Sequence, residues 1–237
     1  MKELISCIVE GLTFSFRKPR FENYQATHLI PPKSVVIGMI ANALNKGESI
    51  YYPMLREIKL APLLLSVESR FVDLWTAIQG KGDEQGKRGI FYREHLFRPV
   101  FHIYFYSEQF SEEIKNALKQ PENIIYLGKS EDLVKIHSIK YHPLKLVETN
   151  RFRDIIPIEW MPLIETIEWT RTNFKRFFPP TEESLINSYI PPSFKQAQRD
   201  QRSVEQTQEM YVAPGGEFVL KEKQKAVEVD EGNIYLF

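Results

Sequence analysis

Pro31-Pro32-Lys33-Ser34-Val35-Val36-Ile37-Gly38-Met39-Ile40-Ala41-Asn42-Ala43-Leu44 is the stretch on which the fold turns. Proline suits the first turn of a helix, where its missing N–H leaves nothing unsatisfied. Val36, Ile40, Ala43 and Leu44 recur on one face with Met39 beside them, which predicts an amphipathic helix. Gly38 inside it implies a close approach of helix to sheet, and Gly47 after Lys46 marks a C-terminal stop.

Strands flank this helix. Residues 3–10 read as a first strand, broken at Gly11, and Phe14-Ser15-Phe16 resumes an extended path. Residues 58–72, rich in Leu, Val and Phe, read as a second strand. Residues 98–106 alternate Val100, Phe101, Ile103 and Phe105 as a third. Ser111-Glu112-Glu113 opens a second helix with Ile114, Ala117 and Leu118 on its face; the serine caps it and the acids suit its positive end. Residues 124–136 supply a fourth strand, interrupted at Gly128. Strand, helix, strand, strand, helix, strand is the split βαβ order, so the expected class is α+β, with a ferredoxin-like or RNA-recognition-like domain. A long hairpin around residues 74–92 is inserted between the second and third strands. The domain spans residues 1–137, and residues 138–237 form a smaller, mostly β domain. In that part, Pro179-Pro180 and Pro191-Pro192 punctuate the chain. Residues 196–208 are glutamine-rich and expected to be exposed or mobile, and residues 213–217 read as a turn before a strand at 218–220.

Composition narrows the function. Lys plus Arg and Asp plus Glu both total 31, which excludes a uniformly basic nucleic-acid binder but not a local cationic strip. Aromatic residues reach 13%, and flat rings either fill cores or stack on bases. Cys7 is the single cysteine, so neither an intrachain disulfide nor a thiolate zinc cluster is possible; in its apolar run it reads as a buried, inert thiol. That run is too short for a secretory core and nothing approaches a membrane span, which implies a cytoplasmic protein. No nucleophile elbow, P-loop or His-Glu-x-x-His occurs. The spacing of Gly80, Gly82 and Gly86 does not fit a dinucleotide fingerprint. His28, His95, His102, His137 and His142 show no metal-ligand spacing, so neither metal nor small-molecule cofactor is expected.

Three polar segments carry candidate chemistry. Residues 16–28 interleave Arg17, Lys18 and Arg20 with Phe16, Phe21 and Tyr24. Cations hold phosphates and rings stack on bases, so this mixture suits single-stranded RNA; the alternative is a solvated loop with its rings tucked into the core. His28 in the same loop is a phosphate donor or a general acid–base. The glycine-rich tip at 80–89 carries Lys81, Lys87 and Arg88, with Arg93 on the strand that follows. It either reaches over RNA or is simply a hairpin end. Around Gly128, a backbone N–H with Lys129 and Ser130 suits a phosphate, against a plain bulge in the fourth strand.

Taken together, Phe16-Arg17-x-Pro19, Asn23-Tyr24-Gln25-x-Thr27, Pro31-Pro32-x-Ser34 and Ile37-Gly38-Met39-Ile40-x-x-Ala43-Leu44 resemble the opening of the fifth Cas protein family, in the RAMP superfamily of CRISPR proteins. Residues 126–134 resemble its second recurring segment. The resemblance covers residues 4–136 well and the tail in outline. It implies a subunit of the type I surveillance complex, Cascade. Such a subunit clamps the 5′ handle of the CRISPR RNA beside a backbone subunit and the large subunit. The inserted hairpin then corresponds to the family's thumb. Carried over, Arg17, Lys18, Arg20, Tyr24, Gln25, His28, Lys33 and Ser34 become handle-binding candidates, with Lys87 and Arg88 on the thumb and Lys129 and Ser130 behind. One branch of the family cuts CRISPR precursor RNA without metal, using a Tyr, a His and a Lys. Tyr24, His28 and Lys33 offer those types, but the short second domain resembles the noncatalytic branches.

Overall fold

The computed structural model describes residues 2–18, 24–78, 86, 88–170, 178–190 and 203–237. The expected α+β order of strands and helices is present, with the bounds of several elements moved. Strand β1 (Glu3–Gly11) is followed by the short β2 (Thr13–Phe14) and β3 (Tyr24–Gln25), then helix α1 (Lys33–Ala43). A further helix, α2 (Glu48–Glu57), leads into β4 (Lys59–Ser66). The hairpin is β5 (Ser69–Ile78) with β6 (Arg88–Phe97); β7 (Val100–Tyr106), α3 (Ser111–Lys119) and β8 (Val134–Pro143) complete the unit.

The first sheet runs β4-β7-β1-β8, antiparallel throughout, which places the second, third, first and fourth strands of the split βαβ order side by side. Alternation along β1 explains its two faces. Ile5, Cys7 and Val9 pack with Val36, Ile37 and Ile40 of α1 and with Ile114 of α3. Leu4, which immediately precedes Ile5, packs with Leu63, Tyr104, Val227 and Ile234 on the other face. Burial raises the Cys7 thiol to about 12, so it is inert at neutral pH.

Among the described residues, the C-terminal part is all β apart from a 3-10 turn at Ile158–Leu163. It consists of β9 (Leu146–Pro157), β10 (Ile164–Trp169), β11 (Thr181–Ile190), β12 (Ser203–Val229) and β13 (Gly232–Ile234). The long β12 is its spine and pairs with β9, β10, β11 and β13. Ile155, Leu185, Met210 and Val212 share one core with the first sheet and its helices. The final residue also seals an edge, since Phe237 N–H donates to the Leu60 carbonyl at 3.0 Å and the Leu60 N–H to the Phe237 carbonyl at 2.9 Å.

Several expectations need correction. Residues 58–72 are not one strand but β4 and the start of β5, so the hairpin extends over Ser69–Ile78 and Arg88–Phe97 rather than 74–92. The fourth strand lies at Val134–Pro143, not 124–136; the apolar residues before it form a loop closed by the isolated bridge Tyr126–Leu133. Residues 213–217 are no chain reversal but a register shift within β12; of the glutamine-rich residues 196–208, 203–208 belong to that strand, with Val204 and Thr207 exposed, and 196–202 lie outside the described residues. A Cβ on Gly38 would meet only Tyr51 of α2, at 3.9 Å, so this glycine serves no close helix–sheet contact.

Candidate nucleic-acid interface at the base of the hairpin

The loop before α1 is folded back on itself. Lys18 N–H donates to the Ala26 carbonyl and His28 N–H to the Phe16 carbonyl, both at 2.8 Å, around the bridge Arg17–Thr27. Such a ladder sends alternate side chains to opposite sides. Phe16 therefore enters the core, with its ring 6.0 Å from that of Phe101. His28 is also buried, and its Nδ1 lies 2.5 Å from Oε2 of the buried Glu183 on β11. Lys18 joins the same carboxylate, with Nζ 3.1 Å from Oε1. Lys33 and Ser34 are buried at the start of α1, and burial, with Lys59 adding repulsion, lowers the Lys33 ammonium to about 8. These placements correct the picture of a wholly outward-facing loop. Arg17 and Tyr24 are exposed, whereas Phe16, Gln25, His28, Lys33 and Ser34 turn inward. Arg20 and Lys87 lie outside the described residues; Arg88 is exposed at the start of β6.

Among the described residues of this loop, Tyr24 and Gln25 pair with the hairpin, and the Thr27 N–H donates to Glu94 Oε2 on β6 at 3.0 Å. In the parallel β3–β6 pair, Tyr24 stands beside Tyr92 and Gln25 beside Arg93. Tyr24 and Tyr92 are 42% and 49% exposed, so two rings sit next to each other on one face, open to solvent. On the opposite face, Arg93 Nε donates to Gln25 Oε1 at 3.0 Å, and its guanidinium carbon lies 3.8 Å from the centre of the Trp75 ring. Lys129, delivered by the loop before β8, brings its ammonium 5.6 Å from the centre of the same ring. Its neighbour Ser130 is exposed and donates to Glu131 at 3.2 Å.

Gln25 of the loop, Trp75 and Arg93 of the hairpin and Lys129 of the loop before β8 thus converge. Burial, with repulsion from Arg93, lowers Lys129 to about 8, and burial raises the carboxyl of Asp132 to about 6. Asp132 is committed inward, accepting from the Ser15 N–H at 3.3 Å and from the Thr13 hydroxyl at 3.4 Å. Trp75 and His95 were not singled out by the sequence, and Arg93 was noted only as a strand residue. The register of β5 against β6, which pairs Asp73 with Arg93 and Phe71 with His95, is the signal that places Phe71, Asp73, Trp75, Arg93 and His95 on one face.

Tyr24, His28 and Lys33 are not joined: among the described residues no hydrogen bond links any two of them. No group of three or more His, Cys, Asp or Glu side chains among the described residues is arranged to hold a metal ion. No helix among them is long and apolar enough to cross a membrane.

A ferredoxin-like sheet, a hairpin inserted between its second and third strands and an appended β sheet define an α+β fold. Two solved structures share it. A chain of a "CRISPR RNA-guided surveillance complex" is 16% identical, with a TM-score of 0.53, over 89% of this chain and 90% of that one. A CRISPR protein from Archaeoglobus fulgidus is 14% identical, with a TM-score of 0.53, over 98% and 97%. No curated protein sequence matches. Residues 7–205 match the family described as CRISPR-associated protein (Cas_Cas5), and the chain belongs to that family.

Proposed function

We propose that this chain is a noncatalytic CRISPR RNA-binding subunit of a type I Cascade complex in the cytoplasm. In this reading it clamps the 5′ handle of the guide RNA and joins the backbone and large subunits in antiviral defence. Membership of the family and a fold like that of a surveillance-complex chain support the setting. The observation that carries the RNA contact is the pair of exposed rings, Tyr24 beside Tyr92, at the junction of loop and hairpin. Every base has a π-face, so adjacent exposed rings accept unstacked nucleotides whatever their sequence. Exposed Arg17 and Arg88 supply cations for the phosphates, so affinity falls as salt rises.

Fluorescence anisotropy with a handle-bearing RNA tests this. Replacing both tyrosines with Ala removes about 1–3 kcal/mol per lost stack, a drop of at least tenfold, with the circular dichroism spectrum unchanged. Equal binding by the double variant and the parent protein would remove the rings from the interface.

A further inference from the structure

Behind the two tyrosines, the other face of the hairpin holds buried cationic donors that no hydrogen bond satisfies. Among the described residues, Lys129 Nζ, Arg93 Nη1 and both ring nitrogens of His95 are buried with no hydrogen-bond partner. Arg93 Nη1 forms an ion pair with Glu131 at 3.7 Å, beyond hydrogen-bonding range, and Glu131 is itself half exposed. Asp132 is tied to Ser15 and Thr13, and Asp73 to the Trp75 indole N–H at 2.9 Å. Buried donors are almost always satisfied, so a group of them left open at one place calls for a ligand. What stands against the two cations is the Trp75 ring, which both of them face.

We propose that Lys129, Arg93 and His95 form a phosphate seat that Trp75 caps in the free protein and vacates when RNA binds. This rests on the RNA-binding reading above. The negative face of an indole is a weak substitute for an anion, and the geometry makes it a replaceable one. Trp75 is only partly buried, on a hairpin strand, and its polar tip holds a single exposed carboxylate. A phosphate oxygen in its place accepts from the ammonium, from the fork of the guanidinium and from a ring N–H of His95, which burial holds neutral near pH 7. The charged groups around Lys129 are Arg17, Arg93, Glu131 and Asp132, and neither carboxylate hydrogen-bonds to its ammonium.

The test uses the full chain and a handle-bearing RNA made with either a 5′-hydroxyl or a 5′-phosphate. Titration changes the tryptophan emission of the parent protein, and Trp75→Phe removes that change. Lys129→Met lowers affinity roughly tenfold to a hundredfold, as expected for a lost charge-assisted contact. It also cuts the slope of log affinity against log salt by about one, and Lys129→Arg restores both. Sensitivity to Lys129→Met with both RNAs assigns an internucleotide phosphate to the seat; sensitivity with the phosphorylated RNA alone assigns a terminal one. RNA that binds with unchanged emission and equal affinity for parent and Lys129→Met overturns the seat while leaving the RNA-binding reading intact. RNA that fails to bind the parent protein overturns that reading instead.

Discussion

His28 and Glu183 are 155 residues apart in sequence and meet at 2.5 Å, Nδ1 to Oε2, with both side chains buried. Their contact, with Lys18 on the same carboxylate at 3.0 Å, ties the loop before α1 to strand β11 of the C-terminal sheet. Deleting the carboxylate leaves a buried imidazole and a half-buried ammonium without their acceptor. Glu183→Ala should therefore cost about 3–5 kcal/mol, the usual penalty for breaking one side of a buried charged pair. Glu183→Gln, which keeps an acceptor oxygen, should cost less. Urea denaturation measures both, and a loss under 1 kcal/mol in the Ala variant would show that this contact does not hold the two sheets together.

That pair also shows where the sequence stops being legible. The strands β1 and β7 and helices α1 and α3 were readable because each carries its own periodicity. Helix α2 was hidden by Pro53, which sits inside it and removes one backbone donor. The fourth strand was misplaced because Ile124, Ile125 and Leu127 imitate a strand, although Gly128 at φ +102° turns the backbone out of one. Loop residues 16–28 were recognisable as cationic and aromatic. Which of them face water depended on the Arg17–Thr27 bridge, and which meet on the hairpin depended on cross-strand register. Neither is encoded locally. Glu183, the partner of His28, was invisible for the same reason.

Two lysines give the protein a particular pH response. Burial lowers Lys33 and Lys129 to about 8, from an ordinary value of 10.5. Between those limits the unfolded chain holds protons that the folded chain has released, so stability rises with pH. Below about pH 8 both charges are carried at their full desolvation cost. Cys7 opposes them above pH 9, because burial moves its thiol from 9.0 up to about 12 and the unfolded chain loses that proton first. The clear window is pH 8 to 9. The urea midpoint should climb across it in the parent protein and climb less in Lys129→Met. A midpoint that falls over this interval would mean that the two ammonium groups are better solvated than their burial indicates.

Incubation with a precursor CRISPR transcript in EDTA should yield no site-specific cleavage. Metal-independent cutting needs an acid and a base that both reach one phosphodiester. Here Tyr24 is on the surface, Lys33 is buried, and His28 is 2% exposed with its Nδ1 already held by Glu183. Cleavage that survives EDTA and disappears in His28→Ala would make the chain a processing enzyme and would require the loop to open.

Gly128 offers a test that separates backbone conformation from packing. Its φ of +102° is one that L residues rarely adopt, yet a Cβ there would meet nothing closer than the Ser15 carbonyl at 3.6 Å, an ordinary contact. The penalty of Gly128→Ala is thus conformational, about 1–3 kcal/mol, and it is relieved by rotating the chain at the residue that precedes Lys129. Such a rotation carries the ammonium away from the Trp75 ring, so RNA affinity should fall together with stability. Gly38→Ala is the matched control, because it lies mid-helix with space for a methyl group. That change should stabilise the protein by about 0.5–1 kcal/mol and leave RNA affinity unaltered. If Gly128→Ala lost stability but kept full affinity, the position of Lys129 would not depend on this turn, and the loop would have to place the cation by its other contacts.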